Sequence, residues 1–271
     1  MPIVAMTKEM GSLGTFIGEE VARQLGYEFI RQDIIREAAR EYHALEEKLV
    51  KTVEEKPGFF EILSETARRH HIFVAAEVYE FALRERVVIM GRWSTQLLKD
   101  VSHAVRIRVC APLDVRVHRL MERLSVSEAE ALKRIRHYDE GVASRVRQFF
   151  EGEWDDPLFY DLTINTGKAS LATGVAQVRG LVEAPEFQPT ATSRRRLENL
   201  ALAVKVRAML KSQRATAHLD VDVVASEGEV TLRGIVSEVL DREETGRIAL
   251  TVVGVRGLKN ELIAVEERRR L

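Results

Sequence analysis

The segment best equipped for chemistry reads Thr7-Lys8-Glu9-Met10-Gly11-Ser12-Leu13-Gly14-Thr15, and it lies between an apolar run and an amphipathic one. Gly11 and Gly14 permit a tight backbone path, while Ser12 and Thr15 bring hydroxyls. A loop leading from a buried strand into a helix aims free N–H groups and the positive helix end at one spot, where a phosphate can be held. The orthodox phosphate-loop pattern GxxxxGK[ST] is absent. With Thr15 at its final hydroxyl, Gly14 stands in the lysine's place and Lys8 in that of the first glycine. Taken by itself, the segment serves equally well as a plain turn before a helix.

The surrounding pattern supplies elements to position such a loop. Residues 2–6 read as a strand, and residues 16–25 as a helix with Ile17, Val21, Ala22 and Leu25 on one face, stopped by Gly26. Val87–Met90 is a short continuous apolar run, as a strand buried on both faces requires. Residues 105–111 read as another strand, with Pro112 opening the helix Leu113–Leu124. A helix over 127–138 starts on Ser127 with Glu130 completing a capping box. Leu162–Asn165 is the last strand of the series. Alternation of this kind predicts an α/β fold with a parallel sheet covered by helices on both faces.

A break follows at 183–196, EAPEFQPTATSRRR, where two prolines and a Thr/Ala/Ser run read as a linker. Its triplet Arg194, Arg195, Arg196 reads as a solvated helix start, with a phosphate- or lipid-contacting patch as the alternative. Beyond it, a helix over 197–211, strands over 219–224 and Glu229–Val236 joined at Glu227-Gly228, a helix over 239–253 and a strand over 258–265 give the order αββαβ. The expected organisation is therefore domain 1–182, linker 183–196, a small α+β domain 197–265, and a charged tail 266–271.

Composition removes several function classes. Across 271 residues, 41 Lys+Arg balance 42 Asp+Glu, which takes away the global reason to expect nucleic-acid binding. The second domain, with nine basic against ten acidic residues between 197 and 265, is no more basic. The single cysteine, Cys110, excludes an intramolecular disulfide and a thiolate-built zinc site, and reads as a small core residue. No apolar run approaches the ~20 residues of a membrane span. The apolar stretch at the start is too short for a secretory leader, so a cytoplasmic location is expected. His70-His71, with no carboxylate at metal-binding spacing, reads as part of a solvated helix face. Phe149, Phe150, Trp154, Phe159 and Tyr160 read as packing rather than as a base-stacking platform.

Spread over residues 1 to about 180, an ordered set of motifs resembles the cytidylate kinase-like family. Its pieces are Thr7-Lys8-Glu9 with Gly11-Ser12-Leu13-Gly14, then Leu25-Gly26-Tyr27 and Asp33, then the strand running into Gly91-Arg92. They continue with Cys110-Ala111-Pro112 with Arg116 and Arg119, Glu153-Trp154-Asp155-Asp156-Pro157, and Tyr160-Asp161-Leu162 with Asn165-Thr166. The resemblance implies a P-loop kinase-like fold, here with a variant loop, that moves a phosphoryl group from ATP to a nucleotide such as CMP. It places Gly11, Ser12, Gly14 and Thr15 around the ATP phosphates, with Thr15 as a Mg²⁺ ligand; the loop lysine is a departure from the orthodox pattern, for which Lys8 or Arg92 is the candidate to compensate. Asp33 and Arg92 fall on the acceptor side. Arg116, Arg119 and the lid near Asp139 close over the transferred group, and Arg145 and Arg147 substitute for lid arginines that Glu140-Gly141-Val142-Ala143 does not supply. A rival reading is a nucleotide-binding regulator with little turnover, or a scaffold.

The second domain resembles the BON domain in Gly228-Glu229-Val230-Thr231-Leu232-Arg233-Gly234, the following helix, and Gly254-Val255 with Leu258-Lys259-Asn260. That resemblance implies an interaction module for phospholipid, a small ligand or self-association.

Overall fold

The computed structural model describes residues 1–55, 64–91, 93–150 and 152–268. Arg92 and, in the charged tail, residues 269–271 lie outside the described residues.

Five parallel strands form the first sheet: β1 (Ile3–Lys8), β2 (Glu28–Ile30), β3 (Val87–Met90), β4 (Ala104–Cys110) and β5 (Leu162–Asn165), in the order β2-β3-β1-β4-β5. β1 is central and alternates its side chains between two cores, since successive strand residues face opposite sides. Val4 and Met6 pack with Ile17 and Val21 of α1 (Gly14–Leu25). On the other side, Ile3 and Ala5 share a core with α2 (Asp33–Glu41), α3 (Glu46–Glu54) and α4 (Glu65–Leu83). The expected strand–helix alternation thus stands, with a parallel sheet clothed on both faces.

Helices α5 (Leu113–Leu124) and α6 (Glu128–Phe150) make an arm with its own small core of Val117, Leu120, Ala131 and Ile135. Helix α6 runs twelve residues past the expected end at 138. Gly141 does not break it because it is buried, and Val142 and Val146 extend the apolar stripe beyond it. A further helix, α7 (Leu171–Glu183), covers the α1 side of the sheet through Val175, Val178 and Val182.

The stretch expected as a linker is only partly a connection. A short 3₁₀ turn at Pro185–Phe187 leads to Thr190, whose hydroxyl accepts from Ser193 N at 3.1 Å while Ser193 Oγ accepts from Thr190 N at 2.9 Å. This reciprocal cap starts helix α8 (Ala191–Ser212) six residues before the expected 197. The basic triplet is therefore helical and is paired with carboxylates on both sides: Arg194 with Glu85 at 2.7 Å, Arg196 with Asp100 at 3.6 Å, and Arg195 with Glu227 at 3.8 Å. Helix α8 belongs to two cores. Leu197, Ala201 and Ala208 sit against α4, whereas Val206 and Leu210 face the second sheet.

That second sheet holds β6 (Asp222–Ser226), β7 (Glu229–Val236) and β8 (Gly257–Ala264) in this order, with helix α9 (Val239–Leu250) as the crossover between β7 and β8. The β6–β7 hairpin turns through Glu227 and Gly228, both at positive φ (50° and 87°), the conformation a tight two-residue turn demands. The αββαβ order is as expected.

Candidate functional site

The loop after β1 is braced from below. Glu9 accepts from Arg108 Nη2 at 2.8 Å and from Ala111 N at 3.2 Å, which ties the loop's start to the end of β4. Gly11 turns at φ 83°, and a Cβ there would meet the Arg116 carbonyl at 2.9 Å. Gly14 is required for a different reason: its Cβ would lie 2.6 Å from Lys8 Cβ and 3.1 Å from Val109 Cβ. Glycine at this position lets α1 begin hard against the central strand. The N–H groups of Leu13, Gly14, Thr15 and Phe16 have no acceptor among the described residues, so four donors and the helix dipole converge at the head of α1.

Above this cradle opens a cleft of about 480 Å³. Thr15 and Lys8 line it on the loop side, and the Lys8 ammonium stands 5.1 Å from the centroid of the Tyr138 ring on α6. Two further cations line it, Arg31 after β2 and Arg123 in the last turn of α5, and neither has an ion-pair partner among the described residues. The opposite wall carries Trp93, Trp154, Thr95 and Gln96. Trp154 is fixed by its indole N–H to Thr7 Oγ1 at 3.1 Å, with the Arg108 guanidinium 5.4 Å from its ring centroid. Trp93 sits in the left-handed region (φ 58°), a cost for a bulky residue that its rings offset by packing on His71 and Phe149 at 5.0 and 5.5 Å.

Several expected roles change in this setting. Arg116, expected to close over the transferred group, is buried beneath the loop; its Nη1 donates to Asp139 at 2.6 Å and to the Met10 carbonyl at 3.4 Å. Burial raises the Asp139 carboxyl above its ordinary pKa, and the bond from Arg116 opposes that rise. Arg119 donates to the side chain and carbonyl of Thr166 at 2.9 and 2.8 Å, and Thr166 in turn donates to Ser12 O at 2.8 Å. Ser12 is fully buried and turns its own hydroxyl onto Glu9 O at 2.8 Å, so it braces the loop instead of facing the cleft. Arg145 is fully buried too, with Nε on Glu55 O at 3.1 Å and Nη1 on Gln148 at 3.1 Å. Asp33 opens α2, accepts from Arg31 N at 3.3 Å, pairs with Arg36 at 3.4 Å, and does not line the cleft. Arg116, Arg119 and Arg145 each meet a partner far along the chain, which spacing within one helix does not reveal, whereas Asp33 is taken up by its neighbours Arg31 and Arg36.

The histidines also depart from expectation. His70 is buried with its Nδ1 2.9 Å from Thr52 Oγ1, and His71 stacks on Phe149 at 4.2 Å. Burial drives the His71 pKa down to about 3, so it is a neutral packing residue. The aromatic residues Phe149, Phe150 and Trp154 pack as expected, although Trp154 lines the cleft as well.

Among the described residues, no cluster of three or more His, Cys, Asp or Glu side chains is arranged for a metal ion, and no helix is long and apolar enough to cross a membrane.

Residues 3–168 match the model of the cytidylate kinase-like family, and residues 199–266 match that of the BON domain. The chain is 29% identical over 114 residues to a cytidylate kinase of Staphylothermus marinus, covering 41% of this chain and 63% of that protein. It is 32% identical over 85 residues to a cytidylate kinase of Methanosarcina barkeri, covering 31% and 47%. A longer match, to a cytidylate kinase of Pyrococcus horikoshii, is 27% identical over 182 residues and covers 67% and 88%. The chain thus spans about half to two thirds of the first two relatives. An uncharacterized protein from Eubacterium ventriosum shares the fold, with a TM-score of 0.55 at 19% identity, covering 68% of this chain and 99% of that one.

Proposed function

The chain belongs to the cytidylate kinase-like family, and from that premise we propose that it transfers a phosphoryl group from Mg-ATP to a nucleoside monophosphate of the CMP type. The observation that carries this reading is the cradle: four N–H groups at the head of α1 with no acceptor among the described residues, opening into a cleft lined by three cations, Lys8, Arg31 and Arg123. Phosphoryl transfer needs positioning and charge neutralisation more than covalent chemistry, and this arrangement offers both.

In this reading the α1 N–H groups hold the ATP phosphates. Lys8 supplies the charge that a loop lysine would give from position 14, because the Lys8 stem occupies the space a side chain at 14 would need. Arg123 neutralises the donor side and Arg31 faces the acceptor. Mg²⁺ supplies charge neutralisation between the phosphates. The Thr15 hydroxyl, which lines the cleft at the head of α1, would hold the ion together with the phosphates and water. Glu9, Ser12, Arg116, Arg119 and Thr166 keep the loop in shape.

ADP formation by the full chain, with CMP, dCMP, UMP, AMP and GMP offered separately, tests the reading. Acceptor-dependent ADP is expected, and ADP at background with every acceptor would overturn it. One observation favours a second reading, a nucleotide-binding regulator of low turnover: Arg116, Arg119 and Arg145 are committed to scaffold contacts, which leaves the described part of the cleft with few mobile cations. Saturable ATP binding without transfer would select it. The BON module, joined through α8, would then report nucleotide occupancy to a lipid, a ligand or a second copy.

A further inference from the structure

The second sheet ends on an uncovered edge. β8 is its outer strand, paired with β7 over all eight residues Gly257–Ala264, and its other long side carries no strand among the described residues. Its packing neighbours are β7, α9 and the short helix Val265–Arg268 that continues it. An edge of this length is a template for another strand unless something blunts it. Leu258 and Leu262 face the helices and pack in the core, and Asn260 donates to Arg242 O on α9 at 2.8 Å. Lys259, Glu261 and Ile263 point the other way and are exposed. Cover of the edge itself is light: Asn260 Oδ1 takes up the Leu262 N–H at 3.3 Å.

The residues along that edge are complementary to themselves. In an antiparallel pair, residues directly opposite project to the same face and interact. Centred on Asn260, two copies of β8 set Leu258 against Leu262 and Lys259 against Glu261, each twice. Gly257 then falls opposite Ile263, the smallest residue against an exposed large one. Neighbouring registers lose this match. Sliding the strands by two residues places Lys259 against Lys259 or Glu261 against Glu261. Sliding by one turns the helix-covered face of one copy toward the outer face of the other.

We propose that β8 pairs antiparallel with β8 of a second copy about a two-fold axis at Asn260, which joins two three-stranded sheets into one of six. Such an interface is isologous, with each Lys259 meeting Glu261 of the other chain. Lys259 has no ion-pair partner among the described residues of its own chain, so its charge is available across the edge. Glu261 pairs with Arg233 at 2.9 Å on an exposed surface, where an isolated pair contributes little, and a second cation beside it makes a small network. This pairing names one partner of the module and does not depend on phosphoryl transfer.

Sedimentation equilibrium of the full chain over a concentration series tests the proposal. The unaltered chain should show a monomer–dimer equilibrium. Lys259→Glu sets carboxylates against each other at both charge pairs and should weaken the dimer about tenfold or more, and Glu261→Lys should do the same with cations. Mixed in equal amounts, the two variants should pair with each other, because every Glu of one then faces a Lys of the other. Melting scans check that both fold. Should Glu261→Lys fail to fold, Lys259→Glu compared with Lys259→Gln carries the test, and reversal of the charge should weaken the dimer more than its removal. A monomer at every concentration, a dimer indifferent to Lys259→Glu, or a mixture that stays monomeric would overturn the proposal. ADP formation enters none of these readings, so failure of the kinase reading would leave the pairing standing.

Discussion

Replacing Gly14 with alanine tests whether close approach of α1 to β1 is what builds the phosphate cradle. The added methyl would lie 2.6 Å from Lys8 Cβ and 3.1 Å from Val109 Cβ, and neither atom is the free end of a flexible chain. Helix α1 must therefore move off the strand, or Lys8 must leave the cleft. Overpacking of this kind costs about 1–3 kcal/mol. For a protein of this size each kcal/mol lowers Tm by about 2–4 °C, so a drop of about 2–12 °C is expected. The functional cost should be larger in proportion, because a misplacement near 1 Å can cost ~10²-fold in rate. ATP affinity by calorimetry should fall at least about tenfold if two or more cradle hydrogen bonds to phosphate are weakened. Gly180→Ala is the matched control: nothing lies within 4 Å of its Cβ, φ is ordinary, and alanine suits the helix better, so Tm should hold or rise. A Gly14→Ala protein with unchanged Tm and unchanged ATP affinity would refute the reasoning.

Three other expectations follow from the same structure. Lys8→Met should lower kcat/KM by about 10²–10³-fold, somewhat less than loss of an arginine finger, with Tm nearly unchanged; steady-state kinetics and a melting scan check both halves. Burial with Glu80, Glu41 and Glu37 nearby raises the Glu77 carboxyl to about 7, with Lys205 opposing. The folded state therefore binds that proton more tightly than the unfolded chain, and stability from this group is lost as pH rises from about 4.5 to about 7. His71, lowered to about 3 by burial, acts oppositely and costs stability as pH falls below about 6.5. Melting curves across pH 4.5–8 should show Glu77→Gln gaining most at the alkaline end and His71→Phe gaining most at the acid end. Finally, ending the chain at residue 190 removes Leu197, Ala201 and Ala208 from the core around α4. The shortened chain should melt well below the full one or aggregate, and an equal Tm would show that α8 packs without stabilising the first sheet.

How far the sequence could be read depended on where each residue's partner lies. β3, β5, α5 and the β7 strand are visible as written because their signals are local: continuous apolar runs, Pro112 before a helix, Glu227-Gly228 at a turn. The extent of α6 was not, since Gly141 looks like a breaker until a core forms around it. Likewise the start of α8 was hidden by the Thr/Ser-rich stretch, whose Thr190–Ser193 reciprocal cap is itself a helix signal in that spacing. In the site, the loop glycines, Thr15 and Lys8 were legible. The contacts of Arg116 and Arg119 were not, because Asp139 and Thr166 take them up across the fold, and Ser12 turns inward onto the Glu9 carbonyl of its own loop. Arg31 and Arg123 carried no motif of their own and come forward only as lining of the formed cleft.

Acceptor-dependent ADP formation by the purified full-length chain tests the central claim most directly. With Mg-ATP and a saturating pyrimidine monophosphate, the account predicts turnover that disappears without the acceptor and falls by about 10²-fold or more in Lys8→Met. ADP at background with every acceptor, from a chain that is folded and binds ATP, would contradict it.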